Sequence, residues 1–219
     1  MPAPLQANSL DQLQVMAREV SLGEALPQLS RLLLGRNGHL LWHGHVLMAE
    51  GVALPLLDAA GTEQATADLR FRPDPLLEAS GLRLASSPGV ASPGSAADAE
   101  RLSMAVLALR AGLTLRILDM SHQHLAKRWS FGKKTLSHQL VKACFATVFA
   151  GLEQVREQWR VRLAQGWLGE QEDEHRQLSE LTGQAEKLMG GHGYLQDGSH
   201  GVSYQSMLLY SVYGAGRGA

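Results

Sequence analysis

Hydrophobic positions in the second half of the chain recur every three or four residues, which is the period of one face of an α-helix. One series comprises Leu102, Val106, Leu109, Leu113, Ile117 and Met120. A second series comprises Val141, Phe145, Val148, Leu152, Val155 and Trp159. These series predict two long helices, over 99–125 and 136–163.

Two further helices are predicted nearer the C-terminus. The acidic run at 170–174 suits a helix start, and an apolar series then follows at Leu178, Leu181, Ala185 and Leu188. The apolar run 202–213 predicts a fourth helix. Four helices with one apolar stripe each predict an antiparallel four-helix bundle over 99–219.

The pattern before residue 86 is mixed. Ser9 has capping-box spacing to Gln12 at the start of a helical series, and 24–34 suits a second short helix. Residues 66–72 alternate strictly, which predicts a strand with Ala67, Leu69 and Phe71 on one face. Segments 40–48, 52–57 and 82–85 are weaker strand candidates. We therefore predict a mainly α protein whose bundle follows a small, reduced α+β region.

Composition divides the chain into three parts. Residues 87–98 are rich in Ser, Pro, Gly and Ala, as is typical of a linker. All eight prolines lie at or before Pro93, so the second half has no proline to break a long helix. We predict an N-terminal region over 1–86, a linker over 87–98 and a bundle domain over 99–219.

Overall charge and hydrophobicity exclude several classes of protein. With 45% hydrophobic residues, 19% charged residues and a net charge of −1, the chain has the composition of a globular protein. It has no basic excess for nucleic-acid binding and no apolar run long enough to span a membrane. Cys144 is the single cysteine, and the N-terminus lacks the apolar core of a signal peptide. We expect a cytoplasmic protein.

Two segments between the predicted helices contain residues that a helix stripe does not need. Arg128-Trp129-Ser130-Phe131-Gly132 lies between the first two helices, and Gly190-Gly191-His192-Gly193-Tyr194 follows the third. An arginine offers a fork of donors to a phosphate, and paired glycines let backbone approach a ligand closely. Taken singly, each segment is better explained as an ordinary turn between helices than as a binding site.

Together the two motifs resemble the C-terminal helical domain of the acyl-CoA dehydrogenases, FAD enzymes that desaturate acyl-CoA thioesters. The family has an Arg-x-x-Phe-Gly turn with a Gln seven residues after the Gly, here Gln139, and a Gly-Gly turn after the third helix. Leu118-Asp119 also matches. The family's Gln before the Gly-Gly turn is Lys187 here, and the flavin-binding segment of its middle domain has no match.

The resemblance implies specific flavin contacts and an oligomer. In the family these turns reach the FAD of the partner subunit, so Arg128, Phe131, Gln139, Gly190 and Gly191 are the expected cofactor-binding residues. The implied cofactor is FAD, and the implied substrate is an acyl-CoA or acyl-carrier thioester. The expected assembly is a homo-dimer or tetramer, or a hetero-oligomer with a longer acyl-CoA dehydrogenase.

The family's catalytic base, a Glu, has no clear counterpart. Its usual position falls on Gly214, and the alternative position used by some members falls on Leu102. Glu100 is a weak candidate, because it lies two residues away, about 200° around a helix. The resemblance thus implies either an acyl-CoA dehydrogenase-like flavoprotein or a subunit that completes a flavin site. The alternative is a non-catalytic helical-bundle interaction protein that kept the scaffold and lost flavin and base.

A metal site is not expected. His39, His43 and His45 are closely spaced, but His45 and Gly44 suit a strand or turn better than a helix. No Asp or Glu completes an obvious ligand set around them. Ordinary half-buried or surface histidines are the favoured interpretation.

Overall fold

A computed structural model describes residues 5–87, 94–195 and 198–215, and every structural statement below concerns these ranges. Eight α-helices occur in them: α1 Ala7–Glu19, α2 Leu22–Ala25, α3 Pro27–Leu34, α4 Pro75–Glu78, α5 Ala96–Ala126, α6 Gln139–Gln165, α7 Glu172–Lys187 and α8 Ser199–Leu209. A π-helical turn, Tyr210–Gly214, extends α8. The predicted mainly α fold with four bundle helices is confirmed, and α5 and α6 are the two longest.

The bundle runs up, down, up and down. Thr114 on α5 is 2.7 Å from Thr182 on α7, and Arg110 bonds to Ser179 one turn earlier on both helices, so α5 and α7 are parallel. Gln154 on α6 pairs with Gln177 on α7, whereas Arg162, later on α6, pairs with Glu174, earlier on α7, so these two helices are antiparallel. Each helix therefore runs antiparallel to its neighbour in sequence.

Helix α5 is the centre of the molecule, and it is buried on every face from Met104 to Leu115. The predicted single stripe is wrong for this helix, because α1 packs on the side that α7 and α8 leave open. The two helices approach closely at Gly112, where a Cβ would lie 2.2 Å from the Gln14 carbonyl oxygen. Arg18 on α1 then pairs with Asp119 on α5 at 2.7 Å.

The strands form small sheets before α5 and one hairpin after it. They are β1 His39–Leu40, β2 His45–Ala49, β3 Leu56–Leu57, β4 Glu63–Gln64, β5 Arg70–Arg72, β6 Leu82–Ser86, β7 Trp129–Ser130 and β8 Lys133–Lys134. Their orders are β1-β3-β4, with β1 and β3 parallel, then β2-β6-β5, and β7-β8. The candidate strand at 82–85 is confirmed, whereas those at 40–48 and 52–57 shrink to the short strands within them.

The strand predicted over 66–72 is largely wrong. Thr66–Asp68 is a 3-10 turn, and only Arg70–Arg72 pairs as β5, at the edge of its sheet. No second layer among the described residues covers this edge strand, so Phe71 remains 43% exposed, with only the Arg83 guanidinium over its ring. Alternation alone does not show whether a second layer exists to bury one face.

Three predicted boundaries also change. Helix α1 begins at Ala7, before the predicted cap Ser9, and has no side-chain cap. The helix predicted over 24–34 is divided into α2 and α3, with Pro27 in the first turn of α3, where its missing N–H costs nothing. Helix α5 begins inside the predicted linker 87–98 with a capping box of Ser95 and Asp98, while 88–93 lie outside the described residues.

One continuous apolar core spans the N-terminal helices and the bundle, and it includes Leu10, Leu13, Leu109, Leu152 and Trp159. The two parts are also joined by the buried hydroxyl of Tyr213, which donates to the Leu40 carbonyl at 3.0 Å and accepts from the Leu47 N–H at 2.9 Å. Within the described ranges, no helix has the length and apolarity needed to cross a membrane.

Candidate functional site

The turn between α5 and α6 is a β-hairpin that places Phe131 at its tip. Ser130 pairs with Lys133, so Phe131 and Gly132 form a two-residue loop. Both have positive φ, 50° and 75°, as a type I′ turn requires. The left-handed conformation is unfavourable for a bulky residue such as Phe131, and its side chain is 97% exposed. The hairpin therefore presents an aromatic ring to its surroundings at a conformational cost.

Hydrogen bonds at the base of the hairpin fix its orientation. The Thr135 N–H donates to the Arg128 carbonyl at 2.9 Å. His138 Nε2 lies 3.0 Å from the Ser130 carbonyl oxygen and 3.1 Å from its hydroxyl. The His138 ring also meets the Phe131 ring edge to face, at 6.0 Å between centroids. The exposed tip is therefore held in one position by bonds behind it.

The turn after α7 leaves its paired glycines open on the surface. Gly190–Tyr194 forms a 3-10 turn, and Gly190 has φ +56. A Cβ added at Gly190 or Gly191 would meet no atom within 4 Å. By contrast, a Cβ at Gly193 would lie 2.4 Å from the Ser199 hydroxyl. Packing within the chain therefore requires glycine at 193 but not at 191.

The two turns meet at one open cavity of about 650 Å³. Four cationic or titratable side chains line it: Arg128, Lys127, His124 and His192. Met189 and His192, which flank Gly190 and Gly191, also belong to its wall, and none of its described lining residues is acidic. The structure thus brings Arg128 together with the Gly-Gly turn. Gln139, Phe131 and Lys187 are exposed and lie outside this cavity.

His124 links the two turns. Its ring stacks on His192 with centroids 4.2 Å apart, and its Nε2 accepts a hydrogen bond from Arg128 Nη1 at 2.9 Å. Desolvation lowers the pKa of His124, and the neighbouring His192 and Arg128 lower it further. The hydrogen bond to His124 holds the arginine fork in place, and Arg128 and Lys127 bring positive charge to the cavity.

The two positions that the family resemblance assigns to a catalytic glutamate, Gly214 and Leu102, are enclosed by neighbouring side chains. Gly214 is buried, and a Cβ there would lie 2.9 Å from Tyr210 Cδ2 and 3.2 Å from Val106 Cγ1. Leu102 is 1% exposed, and the cavity beside it holds only about 10 Å³. A glutamate at either position has no room without rearrangement. Glu100, the weak candidate, is half-buried in the second turn of α5.

A buried polar cluster beside Gly214 was not predicted from the sequence. Arg110 donates to His175 Nδ1 at 2.9 Å and to the hydroxyl of Ser206 at 3.1 Å, and His175 Nε2 lies 3.0 Å from the Ser103 hydroxyl. Burial, together with the adjacent Arg110, lowers the pKa of His175 to about 3. Burial lowers the pKa of Arg110 to about 10. Both residues are 1% exposed, so this cluster is part of the core.

The histidines at 39–45 do not share a site. His39 is buried in β1 with Nε2 3.2 Å from the Val52 carbonyl oxygen, and His45 Nδ1 lies 3.0 Å from the His43 carbonyl. Across the described ranges, no group of three or more His, Cys, Asp or Glu side chains has the arrangement to hold a metal ion.

Among the lining residues of the cavity at Arg128, Lys127, His124 and His192 were not assigned a role from the sequence. The sequence could have indicated a role for His124, because it precedes Arg128 by four residues and therefore lies on the same side of the chain at the end of α5. Gln123 and Met120 line the same cavity one turn earlier.

No protein-family model and no curated protein matches this chain. Solved structures do match. Butyryl-CoA dehydrogenase of Megasphaera elsdenii is similar with a TM-score of 0.63 at 13% identity, covering 93% of this chain and 76% of that one. The electron transferring flavoprotein of Acidaminococcus fermentans gives a TM-score of 0.53 at 14% identity, covering 81% and 60%.

A glutaryl-CoA dehydrogenase from Mycobacterium smegmatis in complex with FADH2 gives a TM-score of 0.51 at 13% identity, covering 81% of this chain and 57% of that one. This chain therefore spans about 60% of the length of two of these three proteins. At such identities the likeness establishes the fold alone. The fold of this chain matches that of the acyl-CoA dehydrogenases, as the two sequence motifs led us to expect.

Proposed function

We propose that this chain is an acyl-CoA dehydrogenase-like flavoprotein subunit that completes an FAD site, in association with the α,β-desaturation of an acyl thioester. The observation that carries the proposal is the cavity where Arg128, Lys127, His124 at the end of α5 and His192 of the Gly-Gly turn converge, with no acidic residue among its described lining residues. The diphosphate of FAD is an anion of the kind that a guanidinium fork and an ammonium group bind.

The residues present fit such a cofactor. Arg128 and Lys127 would bind the diphosphate, and the open backbone at Gly190 and Gly191 would admit the nucleotide to close contact. FAD, when bound, supplies the two-electron oxidation of the acyl chain. Phe131 and Gln139 lie outside the cavity, so their contacts would form with flavin held largely by another subunit.

Exposed apolar side chains support an assembly. Phe131 and Leu140 are 97% and 86% exposed, and Trp129 and Phe149 are also largely exposed. From 139 to 152, Lys142 is the single charged residue. Such a surface is unfavourable in water and is typical of an interface. The partner is a second copy, as a homo-dimer or tetramer, or a longer acyl-CoA dehydrogenase in a hetero-oligomer.

The packing around Gly214 favours the site-completing role over complete catalysis. Removal of an α-proton needs a carboxylate within hydrogen-bond reach of the thioester. Gly214 and Leu102 supply none, and both lie in packed core. The acyl-CoA or acyl-carrier substrate would accordingly react at a base contributed by a longer partner.

The test is flavin binding by the purified chain, alone and co-expressed with a longer acyl-CoA dehydrogenase. The proposal expects flavin absorption bands in at least one preparation and an oligomer by light scattering. Gly191→Val should weaken FAD binding about tenfold or more, because its side chain enters the space that the nucleotide approaches, while the melting temperature stays unchanged. Gly183→Ala, at an open glycine on α7, is the matched control and should bind FAD normally.

A monomer of 23.7 kDa without flavin in either preparation would contradict the proposal. That result would favour a non-catalytic helical-bundle interaction protein that retained the scaffold. FAD binding that Gly191→Val leaves unchanged would place the flavin elsewhere on the molecule.

A further inference from the structure

A second cavity, of about 690 Å³, adjoins the one lined by Arg128. It lies between α4, α5 and α8, with the turn before α2 at one end. None of the residues expected to bind flavin lines it. Its volume lies within the range of pockets that bury a small organic ligand.

The charge of this second cavity comes from one residue. Arg116 is the single charged side chain among its described lining residues, and it is half-buried. One of its N–H groups donates to the Val20 carbonyl oxygen at 2.8 Å. Within the described ranges, no carboxylate lies within ion-pair distance of Arg116. A partly desolvated guanidinium without a counter-ion favours an anionic ligand.

The rest of the wall is mainly apolar. Leu22, Leu76, Met120 and Val202 contribute aliphatic surface from four different elements. Met120 lies four residues after Arg116, so the guanidinium and the thioether share one face of α5. This arrangement places a single cationic group beside a surface that suits a hydrocarbon chain.

Hydrogen bonds across the elements hold the cavity open. Gln205 Nε2 on α8 donates to the Ser80 hydroxyl, just after α4, at 2.9 Å. The Tyr204 hydroxyl donates to Asp74, which also caps α4. Since these bonds fix α8 against α4, a ligand would enter a preformed space and would not have to separate the helices.

We propose that this second cavity binds an amphipathic monoanion, with a carboxylate at Arg116 and an aliphatic chain along Leu22, Leu76 and Val202. The proposal requires neither bound flavin nor a partner subunit. It assigns the chain a ligand site with its own cation, Arg116, which adjoins the cavity lined by Arg128 and shares Met120, Leu195 and Gly198 with it.

The test is titration calorimetry of the full chain with decanoate and, as a neutral analogue, 1-decanol. Decanoate should bind with one site per chain. Arg116→Gln should weaken decanoate about tenfold or more through loss of a charge-assisted bond, while decanol affinity changes little. Arg116→Lys should restore part of the loss. Leu76→Trp, which fills the cavity from a partly exposed position, should weaken both ligands, and Val161→Trp on the exposed side of α6 should weaken neither.

Three results would overturn the proposal. The first is the absence of decanoate binding to the wild-type chain. The second is binding that neither Arg116→Gln nor Leu76→Trp changes, since the ligand would then lie elsewhere. The third is binding that Arg128→Ala abolishes and Arg116→Gln leaves intact, since the carboxylate would then occupy the neighbouring cationic cavity.

Discussion

Replacing Tyr213 with phenylalanine tests how the end of the bundle is joined to the N-terminal sheets. The Tyr213 side chain is 2% exposed, and its hydroxyl bonds to the backbone of two strands, at Leu40 and Leu47. Tyr213→Phe keeps the ring but removes the partner of a buried C=O and of a buried N–H. The variant therefore changes these two hydrogen bonds and little else.

The expected loss follows from the two backbone groups. Each buried group left without a partner costs about 1–3 kcal/mol, so the pair should lower the free energy of unfolding by roughly 2–6 kcal/mol. For a chain of this length, that is a fall of roughly 4–24 °C in melting temperature. Thermal unfolding followed by circular dichroism measures it. Tyr194→Phe is the matched control, since Tyr194 is 70% exposed, and it should melt with the wild type.

Alkaline pH gives a second measurement of the same contact. Burial raises the pKa of the Tyr213 phenol, so the native state keeps a proton that the unfolded state loses above about pH 10. The stabilisation is full below that pH and declines above it, and Tyr213→Phe should show a shallower decline. A variant that melts with the wild type, and has the same alkaline profile, would refute the placement of Tyr213.

Two other predictions concern the core. Burial holds the pKa of His175 at about 3, so the native state keeps this ring neutral. The free energy of unfolding should therefore fall as pH drops below about 6.5, by up to about 1.4 kcal/mol per pH unit. His175→Gln should flatten this slope in urea titrations. Gly183→Ala should raise the free energy of unfolding by about 0.5–1 kcal/mol, because helix α7 leaves its Cβ unobstructed. Gly151→Ala should lower the free energy of unfolding, because the new Cβ would lie 2.6 Å from Leu181 Cδ2. Equal effects of the two glycine variants in chemical denaturation would contradict the packing of α6 on α7.

The helices of the bundle were predictable because their period is local. Val106, Leu109 and Leu113 on α5, and Val148, Leu152 and Val155 on α6, lie in the core as the sequence pattern predicted. The number of faces that α5 buries was not predictable, because it depends on α1, about 90 residues earlier in the chain. The close approach at Gly112 is likewise a contact between distant segments.

The N-terminal strands were harder to predict than the bundle helices. The alternation through Phe71 is present in the sequence, but β5 lies at a sheet edge that no layer of the described residues covers. The apolar positions of this strand are therefore not buried. β1 and β3 contain two residues each, which is too short for any period to be visible. Their existence depends on pairing between distant segments.

The candidate site was partly predictable. Arg128 and the Gly190-Gly191 turn were singled out by residue type and spacing, and the structure brings them to one cavity. The roles of His124 and His192 required the fold, because a stacked pair of rings joins residues 68 positions apart in the sequence. The cavity at Arg116 is built from four segments and has no sequence motif.

The most direct test of the central claim is the affinity of Arg128 variants for FAD, measured on the chain alone and in its complex. If Arg128 binds the diphosphate, Arg128→Ala should cost about 1.5–3 kcal/mol, a loss of roughly tenfold to a hundredfold in affinity. Arg128→Lys should recover only part of it, because the planar fork is lost. The melting temperature without flavin should scarcely change, since Arg128 is exposed in a turn. Unchanged FAD affinity with a lowered melting temperature would contradict the account and make Arg128 a structural residue of the hairpin.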